Sequence, residues 1–233
     1  AAESLRFSGR DIRPVTLNVA DRAAVHGLAD ALRRDGAKLH VVVNNAGVGY
    51  HARPLHQSPD EAFDWVFGVN VAGVFNGIKA FVPLLLDHDE GGHVVNTGSM
   101  GGLLVSDDSA MNAGLYSASK FAVTAMTEAL RNDLANKGIG VSLLAPAFVD
   151  TGFSRSDRNR PDGPSPTDFN PAFGARLAAG MDADLVGALV VEGIRADLPY
   201  IFTHPAGRAL VEARHARILA GFEQSARLGK IRL

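Results

Sequence analysis

Residues 93–97, HVVNT, form a short valine-rich run without strict alternation of apolar and polar side chains. Runs of this kind are typical of parallel strands that are buried on both faces of a sheet. Segments of helical length separate this run from similar ones, which predicts an α/β fold with a doubly wound parallel sheet. The other runs predicted as strands are Ile12–Val19, Leu39–Val43, Val141–Ala145 and Tyr200–Thr203.

Five helices are predicted between and after these strands: Arg22–Arg34, Ser58–Leu86, Tyr116–Lys137, Ala183–Arg195 and Ala206–Ala226. Ser58, Pro59 and Glu61 form a candidate capping box at the start of the second helix, with proline at its first position. Asp182 is a candidate cap for the fourth helix.

Residues 152–180 differ from the rest of the chain because they are rich in proline, glycine, serine and aspartate and have little helical periodicity. They predict a long loop within a single domain spanning residues 1–233. Such a loop is either a mobile surface segment or a substrate-covering loop, and the sequence favours neither.

The composition excludes several classes of function. The 233 residues carry a formal net charge of −2, which leaves no electrostatic footprint for nucleic acid or an anionic membrane. There are no cysteines, so thiolate metal sites are excluded, and the eight histidines form no metal-binding pattern. His51 and His56 are predicted to lie on a loop surface. We expect no metal and a small-molecule partner.

The longest apolar stretch, Val66–Leu86, is interrupted by asparagine, lysine and proline. These interruptions favour a buried helix over a membrane span. We therefore expect a soluble, cytoplasmic protein that does not bind a membrane.

The sequence YSASK at residues 116–120 places Tyr116 and Lys120 on the same face of a predicted helix. A nearby ammonium group stabilises a phenolate, so we expect Lys120 to lower the pKa of Tyr116 toward the range useful for proton transfer. Taken alone, this spacing is more often a surface pair. Its context, described next, favours catalysis.

Ser99 follows the strand at residues 93–97 and is expected at the carboxyl edge of the sheet, where α/β proteins bind ligands. Its hydroxyl could hold a substrate oxygen during hydride transfer, or it could be a turn residue; the former is favoured. Asn70 lies inside a predicted helix, where asparagine is unfavourable. It is either a buried amide bridging two elements or part of a kink whose free carbonyl holds a water in a proton relay to Lys120.

The motif Asn44-Asn45-Ala46-Gly47, followed in order by Asn70, Ser99 and Tyr116–Lys120, resembles the short-chain dehydrogenase/reductase family over residues 10–205. The resemblance implies a Rossmann-like fold and an NAD(P)-dependent oxidoreductase that transfers hydride between nicotinamide and a secondary alcohol or ketone. It also implies four catalytic roles. Tyr116 would be the acid/base, Lys120 would lower its pKa and hold the nicotinamide ribose, Ser99 would orient the substrate oxygen, and Asn70 would complete the relay.

The resemblance further implies a cofactor site. The segment PAFVDT at residues 146–151 is similar to the family segment beside the nicotinamide carboxamide, with alanine in place of its glycine. Asn18 and Val19 are similar to the segment beside the adenine ring. The implied cofactor-binding residues are Asn18, Val19, Asn45, Ala46, Gly47, Tyr116, Lys120, Pro146, Val149 and Thr151.

The glycine-rich phosphate turn of the family, T-G-x-x-x-G-x-G, does not occur in the sequence. We therefore expect the domain to be N-terminally incomplete, lacking its first strand-helix-strand unit. Direct pairing of the Ile12–Val19 and Leu39–Val43 strands would contradict this expectation. The acid that usually selects NAD over NADP belongs to the same unit, so the cofactor is expected to be NAD or NADP without a choice between them.

Within the family, three segments are similar to those of bacterial dehydrogenases that oxidise benzylic alcohols of lignin-derived aryl ethers: the run from Phe63-Asp64-Trp65 through Gly77, Ser99–Gly102 and Pro199–Ile201. A non-catalytic scaffold or sensor, and an epimerase or dehydratase using the same tyrosine and lysine, remain alternatives. Arginines of the 152–180 segment could bind an anionic group, although solvated side chains are the simpler interpretation. They are Arg155, Arg158, Arg160 and Arg176.

The resemblance also implies a homodimer or homotetramer formed through long helices. Four alanines on the Tyr116–Lys137 helix would allow a second helix to approach closely: Ala118, Ala122, Ala125 and Ala129.

Overall fold

The computed structural model of the chain describes residues 11–108, 111–164 and 170–228. Within these residues a parallel sheet has the strand order β1-β2-β3-β6. Its strands are β1 (Val41–Asn44), β2 (Gly92–Thr97), β3 (Ile139–Ala145) and β6 (Tyr200–Phe202), and a separate parallel pair is formed by β4 (Val149–Asp150) and β5 (Met181–Asp182). The predictions for the four sheet strands are confirmed to within two residues at each end.

The helices of the described residues are α1 (Arg22–Arg34), α2 (Asp60–Phe67), α3 (Gly73–Leu86), α4 (Gly114–Asp133), α5 (Pro171–Ala178), α6 (Ala183–Arg195) and α7 (Arg208–Arg227). The predicted bounds of α1 and α6 are confirmed at both ends. The cap predicted for α6 is also confirmed, because the Asp182 side chain accepts a hydrogen bond from Asp184 N.

Helices cover both faces of the main sheet. On one face Val94 and Val141 pack against α3 and α4. On the other face Val95 and Ile201 pack against α6. Because the strands are buried on both sides, their valines need no polar alternation. The predicted doubly wound α/β fold is confirmed.

The predicted helix Ser58–Leu86 consists of α2, a π-helical turn at Gly68–Ala72, and α3. The capping box predicted at its start is wrong, because the helix begins at Asp60 and the Ser58 hydroxyl donates to Pro54 O instead. Asp60–Leu86 is long and apolar enough to cross a membrane, but half of its most apolar window is buried inside the domain. That burial is typical of a core helix.

The segment Ile12–Val19, predicted as a strand, has no strand structure. A strand needs a partner for its backbone groups, and β1 has no neighbouring strand on this side among the described residues. The segment contacts α3 instead, where Asn76 Nδ2 donates to Val19 O at 2.9 Å. Gly73 permits this approach, because a Cβ there would lie 2.8 Å from Val19 Cγ2.

A cleft of about 370 Å³ separates residues 17–19 from β1. It lies on the side of β1 that has no neighbouring strand among the described residues. No strand-helix-strand unit precedes α1 within the described residues. The Ile12–Val19 segment and β1 do not pair with each other. The cleft is lined mainly by apolar side chains, including Leu17, Leu28, Leu32, Leu39 and Phe81.

The segment at residues 152–180 has more regular structure than predicted. Gly152–Asn159 is a 3₁₀ helix, and α5 follows further along. The Asn170 side chain caps α5 by accepting from Phe173 N, and Pro171 occupies its first turn. This Asn-Pro pair is the sequence signal that the analysis missed. The part of the segment at residues 165–169 lies outside the described residues, as do residues 1–10, 109–110 and 229–233.

Candidate active site

The carboxyl ends of β1, β2 and β3 meet at one edge of the sheet. The chain leaves these strands at Asn45, Gly98 and Pro146. Polar contacts join the resulting turns: Thr97 Oγ1 donates to Asn45 Oδ1 at 3.0 Å, and Met100 N donates to Pro146 O at 2.9 Å. The turns at this edge are therefore joined by hydrogen bonds, and they lie at the position where parallel α/β sheets bind ligands.

Ser99, Tyr116 and Lys120 come together at this edge. Ser99 Oγ and Tyr116 Cε1 lie 3.4 and 3.5 Å from the position that a Cβ of Gly101 would occupy, so the two side chains are neighbours. Lys120, which is 3% exposed, places Nζ 5.7 Å from the centre of the Tyr116 ring and donates to Thr97 O at 2.8 Å. The three side chains thus share one environment, as their order in the sequence suggests.

The expected effect of Lys120 on the pKa of Tyr116 is not found. Burial raises the pKa of Tyr116 to about 12, and the neighbouring Ser99 side chain opposes this shift. Burial also lowers the pKa of Lys120 to about 8. Both shifts arise because the phenolate and the ammonium lose hydration. Tyr116 is therefore protonated at neutral pH, the state in which a phenol can donate a proton.

Asn70 is completely buried in the π-helical turn. Its Oδ1 accepts from Val48 N at 2.8 Å, and its Nδ2 donates to Val48 O at 2.9 Å and to Ser119 Oγ at 3.0 Å. Ser119 Oγ in turn donates to Tyr116 O at 2.7 Å. The side chain of Asn70 is thus a bridging amide between the loop after β1 and Ser119 in the second turn of α4. Its role in a proton relay stays a prediction.

Several predicted cofactor residues lie together. Val19, Asn45 and Ala46 line the cleft beside β1. Gly47 lies at the Lys120 ammonium, since a Cβ at position 47 would be 3.4 Å from Nζ. Lys120 has one acceptor for its three ammonium protons among the described residues, Thr97 O, so donors remain for a ribose hydroxyl. This set of groups fits a nicotinamide cofactor.

The other predicted cofactor residues do not line that cleft. Asn18 Oδ1 accepts from Ala20 N at 3.1 Å, and Thr151 Oγ1 accepts from Phe153 N at 3.3 Å. Pro146 contacts the Ser99 turn through its carbonyl, and Val149 belongs to β4. Contact of these four residues with a cofactor stays a prediction.

The sequence analysis missed aromatic groups beside Tyr116. His51 is 5% exposed, so its prediction as a surface residue is wrong. Its ring stacks on Phe173 with 3.8 Å between centroids and lies 5.2 Å from the Tyr116 ring. Phe153 lies 5.6 Å from the Tyr116 ring in an edge-on arrangement. The burial of His51 depends on α5, which the sequence analysis did not predict.

Two of the loop arginines form hydrogen bonds or ion pairs within the protein, and a third, Arg160, lies over the Trp65 ring at 5.4 Å. Arg158 Nη1 donates to Gly152 O at 2.9 Å and to Arg155 O at 2.7 Å, which braces the 3₁₀ helix. Arg176 Nη2 lies 2.8 Å from Asp108 Oδ2. These contacts explain both arginines without an anionic ligand.

One group of potential metal ligands occurs among the described residues. His40, His88 and Glu90 have donor atoms within 4.8 Å of one another. The group precedes β1 and β2, at the opposite edge of the sheet from Tyr116. The Glu90 carboxylate already pairs with Lys38 and His40. Nothing in this arrangement involves the candidate active site.

Comparison with known proteins agrees with this geometry. Residues 1–162 match the family model described as short chain dehydrogenase. C alpha-dehydrogenase of Sphingobium sp. strain SYK-6 is 30% identical over 226 residues, covering 94% of this chain and 72% of that protein. The 1-deoxy-11-beta-hydroxypentalenate dehydrogenase of Streptomyces exfoliatus is 33% identical over 208 residues, covering 89% of this chain and 70% of that protein.

Solved structures agree as well. A short-chain dehydrogenase/reductase from Burkholderia phymatum in complex with NAD has a TM-score of 0.86 and 38% identity, covering 94% of this chain and 80% of that chain. A gluconate 5-dehydrogenase from Burkholderia cenocepacia in complex with NADP and tartrate shares the fold, with a TM-score of 0.71 and 22% identity over 89% of this chain and 80% of that chain. The chain belongs to the short-chain dehydrogenase/reductase family of NAD(P)-dependent oxidoreductases.

Proposed function

We propose that the protein is an alcohol dehydrogenase or ketone reductase that transfers hydride between nicotinamide and a secondary alcohol or ketone. The observation that carries this proposal is the convergence of Ser99, Tyr116 and Lys120 at the carboxyl edge of the sheet. A scaffold or sensor has no use for a half-buried phenol next to a buried hydroxyl and a buried ammonium, since burying such groups costs stability.

Each side chain has a distinct role in this proposal. Tyr116 donates its proton to the carbonyl oxygen in reduction and takes a proton from the hydroxyl in oxidation. Ser99 holds that oxygen by a hydrogen bond as charge develops on it. Lys120 holds the nicotinamide ribose and supplies positive charge near the phenol. The bound cofactor gives or accepts the hydride. Asn70 keeps the first turn of α4 in register and completes the proton relay.

We further propose that the substrate carries an aryl group next to the carbinol. Tyr116 is flanked by the rings of His51 and Phe153, with Phe173 behind His51. Stacked and edge-on contacts between such rings and an aryl substrate are favourable. The identity with a C alpha-dehydrogenase supports the same inference. Since Phe153 and Phe173 both belong to residues 152–180, that segment is proposed to cover the substrate.

We also propose a single-domain cytoplasmic enzyme that forms a homodimer or homotetramer. The helix α4 leaves Ala118, Ala125 and Ala129 exposed. A face of small side chains lets a second helix approach closely, which supports association through α4. Apolar side chains of α6 are exposed too, among them Leu185 at 60%.

The test of the proposed activity is a turnover assay with purified protein. NAD or NADP is supplied with α-methylbenzyl alcohol, or with an aliphatic secondary alcohol, and reduced nicotinamide is followed by its absorbance. We expect turnover with at least one cofactor and a preference for the aryl alcohol. Absence of turnover with every alcohol, and with acetophenone in the reverse direction, by protein that binds the cofactor would favour the scaffold. Interconversion of substrate without net cofactor reduction would favour the epimerase or dehydratase.

A further inference from the structure

His51 has one ring nitrogen without a hydrogen-bond partner among the described residues. The side chain is 5% exposed, and its Nε2 atom is buried and unpaired. A buried polar atom without a partner costs stability, so native structures supply such atoms with a protein group, a water or a ligand. Two polar groups nearby bond elsewhere, since Gly49 N donates to Ser156 Oγ and Asn170 Nδ2 donates to His51 O.

The other ring nitrogen fixes the chemical character of Nε2. His51 Nδ1 lies 3.0 Å from Met111 O. A carbonyl oxygen can only accept a hydrogen bond, so Nδ1 carries the proton. Burial lowers the pKa of His51 to about 4, which keeps the ring neutral at physiological pH. In this tautomer Nε2 presents a lone pair, and it can only accept a hydrogen bond.

The ring of His51 is a direct neighbour of the Tyr116 ring. His51 is held between Phe173 and Tyr116, at centroid distances of 3.8 and 5.2 Å. It lines a small cavity of about 30 Å³ together with Phe153 and Ser156. That volume admits a single water or a group as small as a hydroxyl.

We propose that His51 Nε2 accepts a hydrogen bond from a second hydroxyl of the substrate, carried by the carbon next to the carbinol. The preferred substrate is then a vicinal diol in oxidation, or an α-hydroxyketone in reduction. This proposal rests on the proposed function, because it takes Tyr116 as the group that meets the carbinol oxygen. A subsite whose buried acceptor needs a donor discriminates against substrates that lack one.

The test compares two substrates that differ by one hydroxyl, phenylethylene glycol and α-methylbenzyl alcohol. The ratio of their kcat/KM values is measured for the wild type and for two variants. His51→Phe keeps an aromatic ring of similar size but removes the acceptor. His51→Gln removes the ring and keeps an oxygen that can accept. A general structural role for His51 would change both rates together and leave the ratio unaltered.

We expect the wild type to prefer the glycol roughly five- to tenfold, the value of one hydrogen bond. His51→Phe should bring the ratio close to one, and His51→Gln should restore part of the preference. Equal use of the two alcohols by the wild type, or an unchanged ratio in His51→Phe, would overturn the assignment and leave the proposed oxidoreductase activity standing. Failure of the wild type to oxidise either alcohol with either cofactor would instead overturn the proposed function, and this inference with it.

Discussion

Asn70 binds both backbone polar groups of Val48, accepting from its N–H at 2.8 Å and donating to its carbonyl at 2.9 Å. The same amide group donates to Ser119, which bonds to the carbonyl of Tyr116. One side chain in a π-helical turn therefore connects the loop that follows β1 to the turn of α4 that carries the phenol. The packing of the site and the placement of its proton donor depend on the same contacts.

Asn70→Ala should reduce the free energy of unfolding by about 3 kcal/mol, because it leaves buried backbone groups of Val48 without partners. Activity should fall as well, since the α4 turn loses its anchor. Asn132→Ala is the matched control: Asn132 is exposed on α4, and its replacement should change stability by less than about 0.5 kcal/mol. Urea denaturation measures both. Equal stability of the two variants would contradict the role assigned to Asn70.

His51 should make the protein sensitive to acid. Its pKa is lowered from 6.5 to about 4 in the folded state, so the unfolded chain binds the proton more tightly over that interval. Above about pH 6.5 the titration of His51 leaves the free energy of unfolding unchanged. As the pH falls toward 4, it lowers the free energy of unfolding by roughly 3 kcal/mol. The difference between wild type and His51→Phe in urea denaturation at several pH values isolates this contribution. If the free energy of unfolding of wild type and of His51→Phe fell equally with pH, the acid sensitivity would not come from His51.

Position 77 requires glycine because a polar side chain lies close to its backbone, and not because the backbone makes a turn there. A Cβ at this position would overlap the side-chain oxygen of Asn44, whose amide donates to Asn96 Oδ1 at 2.8 Å. Gly77→Ala should therefore destabilise the protein by about 1–3 kcal/mol. Gly27, inside α1, has open space around its Cβ position, so Gly27→Ala should stabilise by about 0.5–1 kcal/mol. Thermal unfolding of the two variants should give shifts of opposite sign.

Lys120 should set the alkaline limit of ketone reduction. Burial lowers its pKa to about 8, so the ammonium is lost as the pH rises through that value. The kcat/KM of the wild type, which reports the free enzyme, should fall above about pH 8. In Lys120→Arg the guanidinium stays charged. The residual activity of this variant should not fall near pH 8. If the kcat/KM of the variant still falls near pH 8, Lys120 is not the titrating group.

Local signals in the sequence predict most of the fold. The bounds of α1 and α6 can be predicted because amphipathic periodicity and an aspartate cap coincide at each helix. The strand prediction for Ile12–Val19 fails because an apolar run becomes a strand only when another strand pairs with it. The predicted start of the second helix is also wrong, because the Ser58 hydroxyl donates a hydrogen bond to the preceding Pro54 carbonyl and does not cap the helix.

The residues of the candidate site also fall into two groups, those that can be predicted from local sequence and those that cannot. Ser99, Tyr116 and Lys120 are predictable because they lie at strand ends and on one helical face, which are local properties. His51 is not, because its burial comes from Phe173, more than a hundred residues along the chain. The pKa of Tyr116 is also not predictable from its spacing to Lys120, since the desolvation of both groups depends on everything packed around them.

Proton transfer by Tyr116 is tested most directly by the kcat/KM of Tyr116→Phe for an aryl alcohol, measured together with the affinity of the variant for reduced cofactor. We predict a loss of about 10²–10⁴-fold in kcat/KM, the usual contribution of a general acid or base, with cofactor affinity and circular dichroism unchanged. A variant that folds, binds cofactor and oxidises the alcohol at the rate of the wild type would contradict the assignment.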